Sequence, residues 1–507
     1  MPTAVFSKFR LAVCLVGSLF LASCSHLSVF DLTDNARSTI NGETIKTAVN
    51  PPPPVRTRSS DALFKAAEQE NLRIIAAYGG VYKNRSVENQ VAKIVSNLVS
   101  NSTAPSQGFQ ITILNSPSVN AFALPGGFLY ITRGLLALAS DESEVAAVLA
   151  HEMAHVTAEH GQQRLQRARN SELVAEAVRG VFGNQETADF VLAKRQLDFA
   201  AFSQAQEFEA DQIGVATAGR AGYDPFAASR FLKIMARFQD YRSNQPVARG
   251  NQGRDFLSSH PTTPVRIEKA RLAARTFGAP GVGQTNRLEY LKAIDGMIFG
   301  DDPKEGFVRD RSFFHPKLRF TFTVPRGYVI DNTSEAVLAT ASNEDAVRFD
   351  GVAVPDGMSL EDYLASGWLN GLNSASVKTF TINGAEAASA TARVAEWHFK
   401  ITVIRAQDSI YRMIFATKQP SVRFDRAVSA TVASFRSLSK SEADALSPLR
   451  VRIKRVEPGE TVVTLSRSMK GLVANPEEAF RALNGLSRQD RLRTGDYIKV
   501  VVDEVVL

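Results

Sequence analysis

DESEVAAVLAHEMAHVTAEH, Asp141 to His160, reads as one helix and decides how the rest of the chain is understood. Asp141 is a natural N-cap, Glu144 stands three residues on to close a capping box, and neither Gly nor Pro interrupts the run before Gly161. Within it, His151-Glu152-Met153-Ala154-His155 sets two imidazoles at i and i+4, so both reach toward one metal ion. Glu152 lies one step round, where it can touch a water beside that ion. Metal-assisted hydrolysis requires this arrangement. His160, nine residues beyond His151, is expected to point away from the metal face and to be structural.

The same five-residue pattern also arises on ordinary amphipathic helices, so a further ligand has to be found. Phe202 to Gly214, FSQAQEFEADQIG, supplies Glu207 and Asp211 one helical turn apart. On a shared face, Glu207 is placed to bind the metal and Asp211 to orient a ligand histidine through its free ring N–H. The alternative is a solvated acidic face.

With both motifs in this order, the chain resembles the HtpX-like family of zinc metallopeptidases, which also holds the CAAX prenyl proteases, and in particular its soluble periplasmic branch. The resemblance rests on Asn120-Ala-Phe-Ala-Leu-Pro-Gly-Gly, His151 to His155, Ser203 to Asp211 and Ser259-His260-Pro261, and spans about residues 65 to 330. Gln204 stands where the family usually has Arg, which removes any ion pair that Arg would make. The resemblance implies an α+β fold: a mainly helical zincin-type domain with a small sheet, holding one Zn2+ per chain through His151, His155 and Glu207, with Glu152 catalytic. Asn120, Ala121, Phe122 and Ala123 form either a strand that pairs with extended substrate or an interior strand of the sheet. His260 has three readings: a fourth metal ligand that holds the enzyme idle, a donor to the oxyanion of the scissile carbonyl, or a packing histidine at a helix entry. No Ser-His-Asp spacing competes with the metal reading.

The chain opens with Lys8 and Arg10 before a short apolar run, Leu11 to Ala22, and then Leu21-Ala22-Ser23-Cys24. That ending resembles a bacterial lipobox, so residues 1–23 are expected to be a signal peptide and Cys24 the lipidated residue, with a plain signal peptide as the alternative. Ser25 after the cysteine suggests sorting to the outer membrane. Cys14 and Cys24 are the only cysteines, so the mature protein has no disulfide. No second apolar run approaches membrane-span length. The net charge of +7, or +5 without Lys8 and Arg10, is mild and scattered, which argues against nucleic acid as a partner. Residues 24–60 include Pro51 to Pro54 and read as a tether or as an arm lying on the following domain.

With 507 residues, 44% of them hydrophobic, the chain has length for about three domains. The peptidase domain is expected over 61–300, with helices at Ala62 to Ala77, Val87 to Val99, Pro225 to Tyr241 and Pro264 to Ala274, and strands at Gln110 to Leu114 and Phe128 to Thr132. Leu173 to Phe202, broken by Gly180, Gly183 and Asn184, suggests a helical hairpin. Residues 301–440 mix strands with helices at Leu360 to Leu369 and Asp425 to Phe435, an α+β domain with no catalytic constellation. Residues 449–507 predict a strand, two helices and a strand. Gly459-Glu460-Thr461, Leu483-Asn484-Gly485-Leu486 and Leu492 to Ile498 make this segment resemble a βααβ LysM module, which implies contact with peptidoglycan, with a packing unit as the alternative.

Taken together, the resemblance implies a periplasmic, lipid-anchored zinc endopeptidase acting on unfolded or misassembled envelope proteins in outer-membrane protein quality control. The competing expectation is a chaperone-like or peptidoglycan-tethered scaffold with secondary or regulated proteolysis. The intact Glu152 weighs toward the enzyme.

Overall fold

The computed structural model describes residues 61–164, 166, 185–243, 256, 260–333, 336–342, 345–353, 357–406, 409–469 and 475–503. The expected signal peptide, Cys24, the tether, the first part of the suggested hairpin and the loop before His260 lie outside them. Among the described residues no helix is long and apolar enough to cross a membrane.

Two helices lead in: α1, Asp61–Ala77, and α2, Arg85–Ser100. Asn84 caps α2 by accepting from the backbone N–H groups of Ser86 and Val87, and Val87, Val91, Ile94, Val95 and Leu98 form its buried stripe at helical spacing. A three-stranded sheet follows, made of β1 (Gln110–Leu114), β2 (Ala121–Leu124) and β3 (Phe128–Thr132), in the order β1-β3-β2. β3 is buried along its whole length, parallel to β1 and antiparallel to β2. Among the described residues β2 therefore lies at an edge of this sheet, as the substrate-pairing reading of Asn120 to Ala123 requires.

A short helix not expected from the sequence, α3 (Arg133–Leu138), hands the chain to α4 (Glu142–Thr157), the motif helix. Asp141 caps α4 by accepting from the Glu144 N–H at 2.9 Å. The reciprocal half of the expected capping box is shifted by one residue, because the Glu144 carboxylate accepts from the N–H of Ser140 at 2.7 Å. Glu142 to Ala154 of α4 are buried, so it is a central helix surrounded on all sides. Val145, Leu149 and Met153 join Ile94, Leu98, Leu129, Ile131 and Phe231 in one core.

The helix α5 spans Gln185–Arg220 without a break, and α6 (Ala227–Ser243), α7 (Pro264–Ala274) and α8 (Arg287–Ile294) complete the helical unit. Over 185–202 the expected second limb of a hairpin is thus the N-terminal half of the helix that carries Glu207. Gly214 lets α5 come close to α4: a Cβ there would sit 3.0 Å from the His151 backbone nitrogen. Contact this close brings Glu207 and Asp211 under the two motif histidines.

Beyond β4 (Ile298–Phe299), the strands β5 (Phe307–Arg309), β6 (Ser312–His315) and β7 (Phe320–Thr323) form a small sheet with β15 (Arg436–Ser437). A larger antiparallel sheet has the order β11-β12-β13-β14-β10-β9-β8, built from β8 (Tyr328–Asn332), β9 (Val337–Ala341), β10 (Ala346–Val352), β11 (Leu372–Ile382), β12 (Ala385–Val394), β13 (Trp397–Ala406) and β14 (Ser409–Thr417). The helices α9 (Leu360–Ala365) and α10 (Val422–Ala433) accompany it, and Phe320, Phe322, Phe349, Tyr411 and Phe435 make an aromatic core between the two sheets and α10.

After α11 (Lys440–Asp444), the last segment runs β16 (Leu449–Arg455), α12 (Val462–Ser468), α13 (Pro476–Leu483) and β17 (Tyr497–Asp503), the element order expected from its sequence. It is docked on the helical unit: β16 pairs with β4 as well as β17, and Val451 belongs to the same core as α4. Lys499 is fully buried and donates to the carbonyls of Ala137, Leu138 and Ala139, at 2.8, 2.8 and 2.7 Å, where α3 ends. Its ammonium meets the negative end of that helix.

Candidate metal centre

His151, His155, Glu207 and His260 converge, each offering a ligand atom within 4.8 Å of the others. The Nε2 atoms of His151 and His155 are 3.1 Å apart, as expected for i and i+4 histidines tilted to one point. Glu207, from the facing helix α5, sets Oε2 3.4 Å from His151 Nε2 and Oε1 3.4 Å from His155 Nε2. His260, just before α7, brings Nδ1 to 3.3 Å from His151 Nε2 and 2.9 Å from Glu207 Oε2. Donors about 2.0–2.1 Å from zinc in a tetrahedron lie about 3.3–3.4 Å from one another, and the separations of 2.9 to 3.4 Å found here are close to that spacing. The ring of Phe256 stacks on His260, 4.6 Å between centroids, and fixes its plane.

Surrounding groups hold these side chains in register. Asp211 Oδ1 is 3.0 Å from His151 Nδ1, so in the neutral ring the proton belongs on that nitrogen and Nε2 is the one that faces the centre. Asp211 is held in turn by Arg266, which is 2% exposed and donates through Nε and Nη2 at 2.8 Å each. The Nη1 of Arg266 is 3.1 Å from Glu207 Oε2, and Arg164 donates to Glu207 Oε1 at 3.0 Å. Gln204 is exposed. The cations beside Glu207 therefore come from Arg164 and Arg266, so the Gln204 departure leaves Glu207 paired.

The electrostatics favour positive charge at this point. Burial disfavours the His151 imidazolium, yet Asp211 and Glu207 overcome it and push His151 up to about 9. Against its own burial, Glu207 is held far below the usual carboxylate range by His151 and His260. His155 moves the other way, lowered by burial and by the charge of His151. Burial raises Glu152, with His260 and His151 opposing. Glu152 Oε1 is buried with no hydrogen-bond partner among the described residues, 3.6 Å from His260 Nε2. An orphaned buried carboxylate oxygen beside converging lone pairs fits a metal ion with a water, because both would satisfy what the side chains leave open.

The structure thus gathers Glu152, His151, His155, Glu207, Asp211 and His260 in one place. Asn120 and β2 lie beside α4, and Val119 accepts a backbone hydrogen bond from Phe256 at 2.9 Å, which links the strand to the segment carrying His260. One residue, Arg266, went unread in the sequence, and another, His160, was placed wrongly. Arg266 shares the buried stripe of α7 with Ala270 and Ala274, and an arginine on an apolar stripe is the signal that could have found it. His160 does not point away: α4 ends at Thr157, Glu159 takes a left-handed φ of 55°, and the chain turns back to set His160 Nδ1 2.9 Å from His155 Nδ1. The helical period used to place it no longer applied.

Residues 85–274 match the profile of Peptidase family M48. Among similar proteins, the Beta-barrel assembly-enhancing protease of Yersinia pestis is 33% identical over 217 residues, covering 40% of this chain and 43% of that protein. The protein of the same name in Escherichia coli strain K12 is 29% identical over 203 residues, covering 38% and 40% respectively. Mitochondrial metalloendopeptidase OMA1 of Saccharomyces cerevisiae is 32% identical over 189 residues, covering 36% and 53%. The match therefore spans about half or less of each relative's length.

Proposed function

We propose, from the match of residues 85–274 to Peptidase family M48, that the chain is a zinc endopeptidase cutting unfolded or misassembled cell-envelope proteins. The observation that carries the reading is the largely buried tetrad of His151, His155, Glu207 and His260 beside a Glu152 Oε1 that has no hydrogen-bond partner among the described residues. His151, His155 and Glu207 would hold the ion, which when bound acidifies a water and polarises the scissile carbonyl. Glu152 accepts a proton as the water oxygen bonds to the carbonyl carbon, and returns it to the amide nitrogen as the C–N bond breaks. Arg266 and Asp211 keep His151 in the ligating tautomer throughout.

Substrate enters along β2 in this reading. Among the described residues β2 pairs only with β3, so its outer edge can take an extended peptide by backbone hydrogen bonds, which demands little of the peptide's sequence. His260 would serve as a further ligand in the resting enzyme and would have to swing out for a peptide to bind, which would make proteolysis regulated. The 2.9 and 3.3 Å approaches of its Nδ1 to Glu207 and His151 favour this over an oxyanion role.

Envelope substrates are favoured by the name of the bacterial relatives and by the N-terminal lipobox, which would anchor the chain in the periplasm through lipid on Cys24, on the outer membrane by its Ser25. The segment 449–507 is a LysM-like module in this reading, with N-acetylglucosamine polymers as its ligand. Its docking through Lys499 supports a second role, as a buttress for α3 and α4. The test is cleavage of an unfolded β-barrel protein against its folded, membrane-inserted form. Selective loss of the unfolded form supports the reading, and equal resistance of both contradicts it. His260→Ala should raise the rate, whereas a fall would return His260 to the oxyanion role.

A further inference from the structure

His155 is a ligand with an unusual neighbour. His151 leans on a carboxylate, Asp211, but the outer nitrogen of His155 meets a second imidazole, His160, at 2.9 Å between Nδ1 atoms, with the rings edge to face at 72°. His160 is 1% exposed and sits in the bend that follows α4, where the left-handed Glu159 sends the backbone under the helix end. On its far side, His160 Nε2 makes no hydrogen bond among the described residues but lies within ion-pair reach, 3.4 Å, of Oε2 of Glu209, two residues past Glu207 on the same helix.

Two imidazole nitrogens this close share one proton, and the geometry decides which ring owns it. His155 Nε2 faces His151 Nε2 and Glu207 Oε1, at 3.1 and 3.4 Å, so it must present a lone pair there if it is to ligate a metal. A neutral imidazole with its lone pair on Nε2 carries its proton on Nδ1. That proton can go only to His160 Nδ1, which must then accept, and the remaining proton of His160 lies on Nε2, on the side of Glu209. We propose that His160 is a positioning residue for the metal ligand His155: its Nδ1 accepts from His155 Nδ1 and fixes the ligating tautomer and ring plane, with Glu209 as the outer anchor. The proposal rests on the zinc-peptidase reading and deepens it. It makes the two motif histidines unequal, one clamped by a carboxylate and an arginine, the other by an imidazole that reaches a half-exposed glutamate.

The test is zinc affinity, read by competition with a chromogenic chelator on the full chain in a Glu152→Gln background, which prevents self-cleavage. Removing an outer partner of a ligating histidine typically weakens metal binding by roughly 10- to 100-fold, so His160→Leu should lose affinity by that factor. His160→Asn should recover most of the loss, because its Oδ1 can stand where Nδ1 accepts. Glu209→Leu should weaken binding by a smaller factor. His160→Leu binding as tightly as the parent overturns the proposal, and so does His160→Asn falling as far as His160→Leu, since volume and not an acceptor would then matter. If His160→Leu does not fold, the comparison rests on His160→Asn and Glu209→Leu: near-parental affinity in the first with a loss in the second sustains the proposal, and any other pairing overturns it. Absence of zinc from the parent itself would instead bring down the metallopeptidase reading, which separates the two failures.

Discussion

Arg266→Met should unfold the catalytic unit long before the rest of the chain. The guanidinium is 2% exposed, forks Asp211 through two 2.8 Å hydrogen bonds and lies 3.1 Å from Glu207 Oε2. Methionine fills much of the volume but leaves two buried carboxylates facing each other with less compensation. Breaking a buried pair by removing one partner costs about 3–5 kcal/mol. At a urea slope near 2 kcal/mol/M, that moves the midpoint down by about 1.5–2.5 M. The chain supplies its own control. Its two tryptophans, Trp368 and Trp397, both lie with the seven-stranded sheet, whereas most long helices are in the catalytic unit. In chelator-treated protein the helical circular-dichroism transition should shift while tryptophan fluorescence stays put, and added zinc should shrink the shift by neutralising Glu207. The pH dependence has a definite sign. Burial raises Asp211, but Arg266 and His151 outweigh it and hold it below its usual value, so its contribution is present at neutral pH and is lost as pH falls through the lowered value. The gap between wild type and Arg266→Met should therefore close in acid. Coincident transitions, or a helical midpoint that does not move, would refute the reasoning.

Gly214→Ala places a Cβ 3.0 Å from the His151 backbone nitrogen, so α5 must back away from α4, at a cost of about 1–3 kcal/mol. Chelator competition should find weaker zinc binding, and unchanged affinity would mean that this close approach does not set the ligand geometry. Lys499→Met strips a donor from the carbonyls of Ala137, Leu138 and Ala139, leaving buried acceptors that cost about 1–3 kcal/mol each when unsatisfied. Amide exchange should rise in β16, β17 and α3 together; protection equal to wild type would show that the C-terminal segment is held by other contacts.

The sequence spoke most clearly where one local pattern decides the outcome. Asp141 before an uninterrupted run announced α4, and Glu207 with Asp211 one turn apart announced the acidic pair beneath it, because helical spacing alone sets which side chains share a face. It was silent where tertiary contacts decide. β11 has the burial of a solvated edge, with no alternation to read, and escaped notice as a strand. Lys499 reads as an ordinary polar position in a strand, and only the assembled fold shows that it ends in the carbonyls of α3. His160 was misplaced because a left-handed Glu159 breaks the period that carries His151 and His155, and a non-glycine residue gives little warning of that conformation. Arg266 needed its partners, on a helix 55 residues upstream, before its charge made sense.

The central claim is tested most directly by zinc content and casein cleavage of the chain from Ser25 onward, wild type against Glu152→Gln. The account predicts one zinc per chain in both proteins, with cleavage in the variant reduced by roughly 100- to 10,000-fold, the contribution of a general base. Wild-type protein that holds no zinc, or a Glu152→Gln variant that cleaves at the wild-type rate, would contradict it.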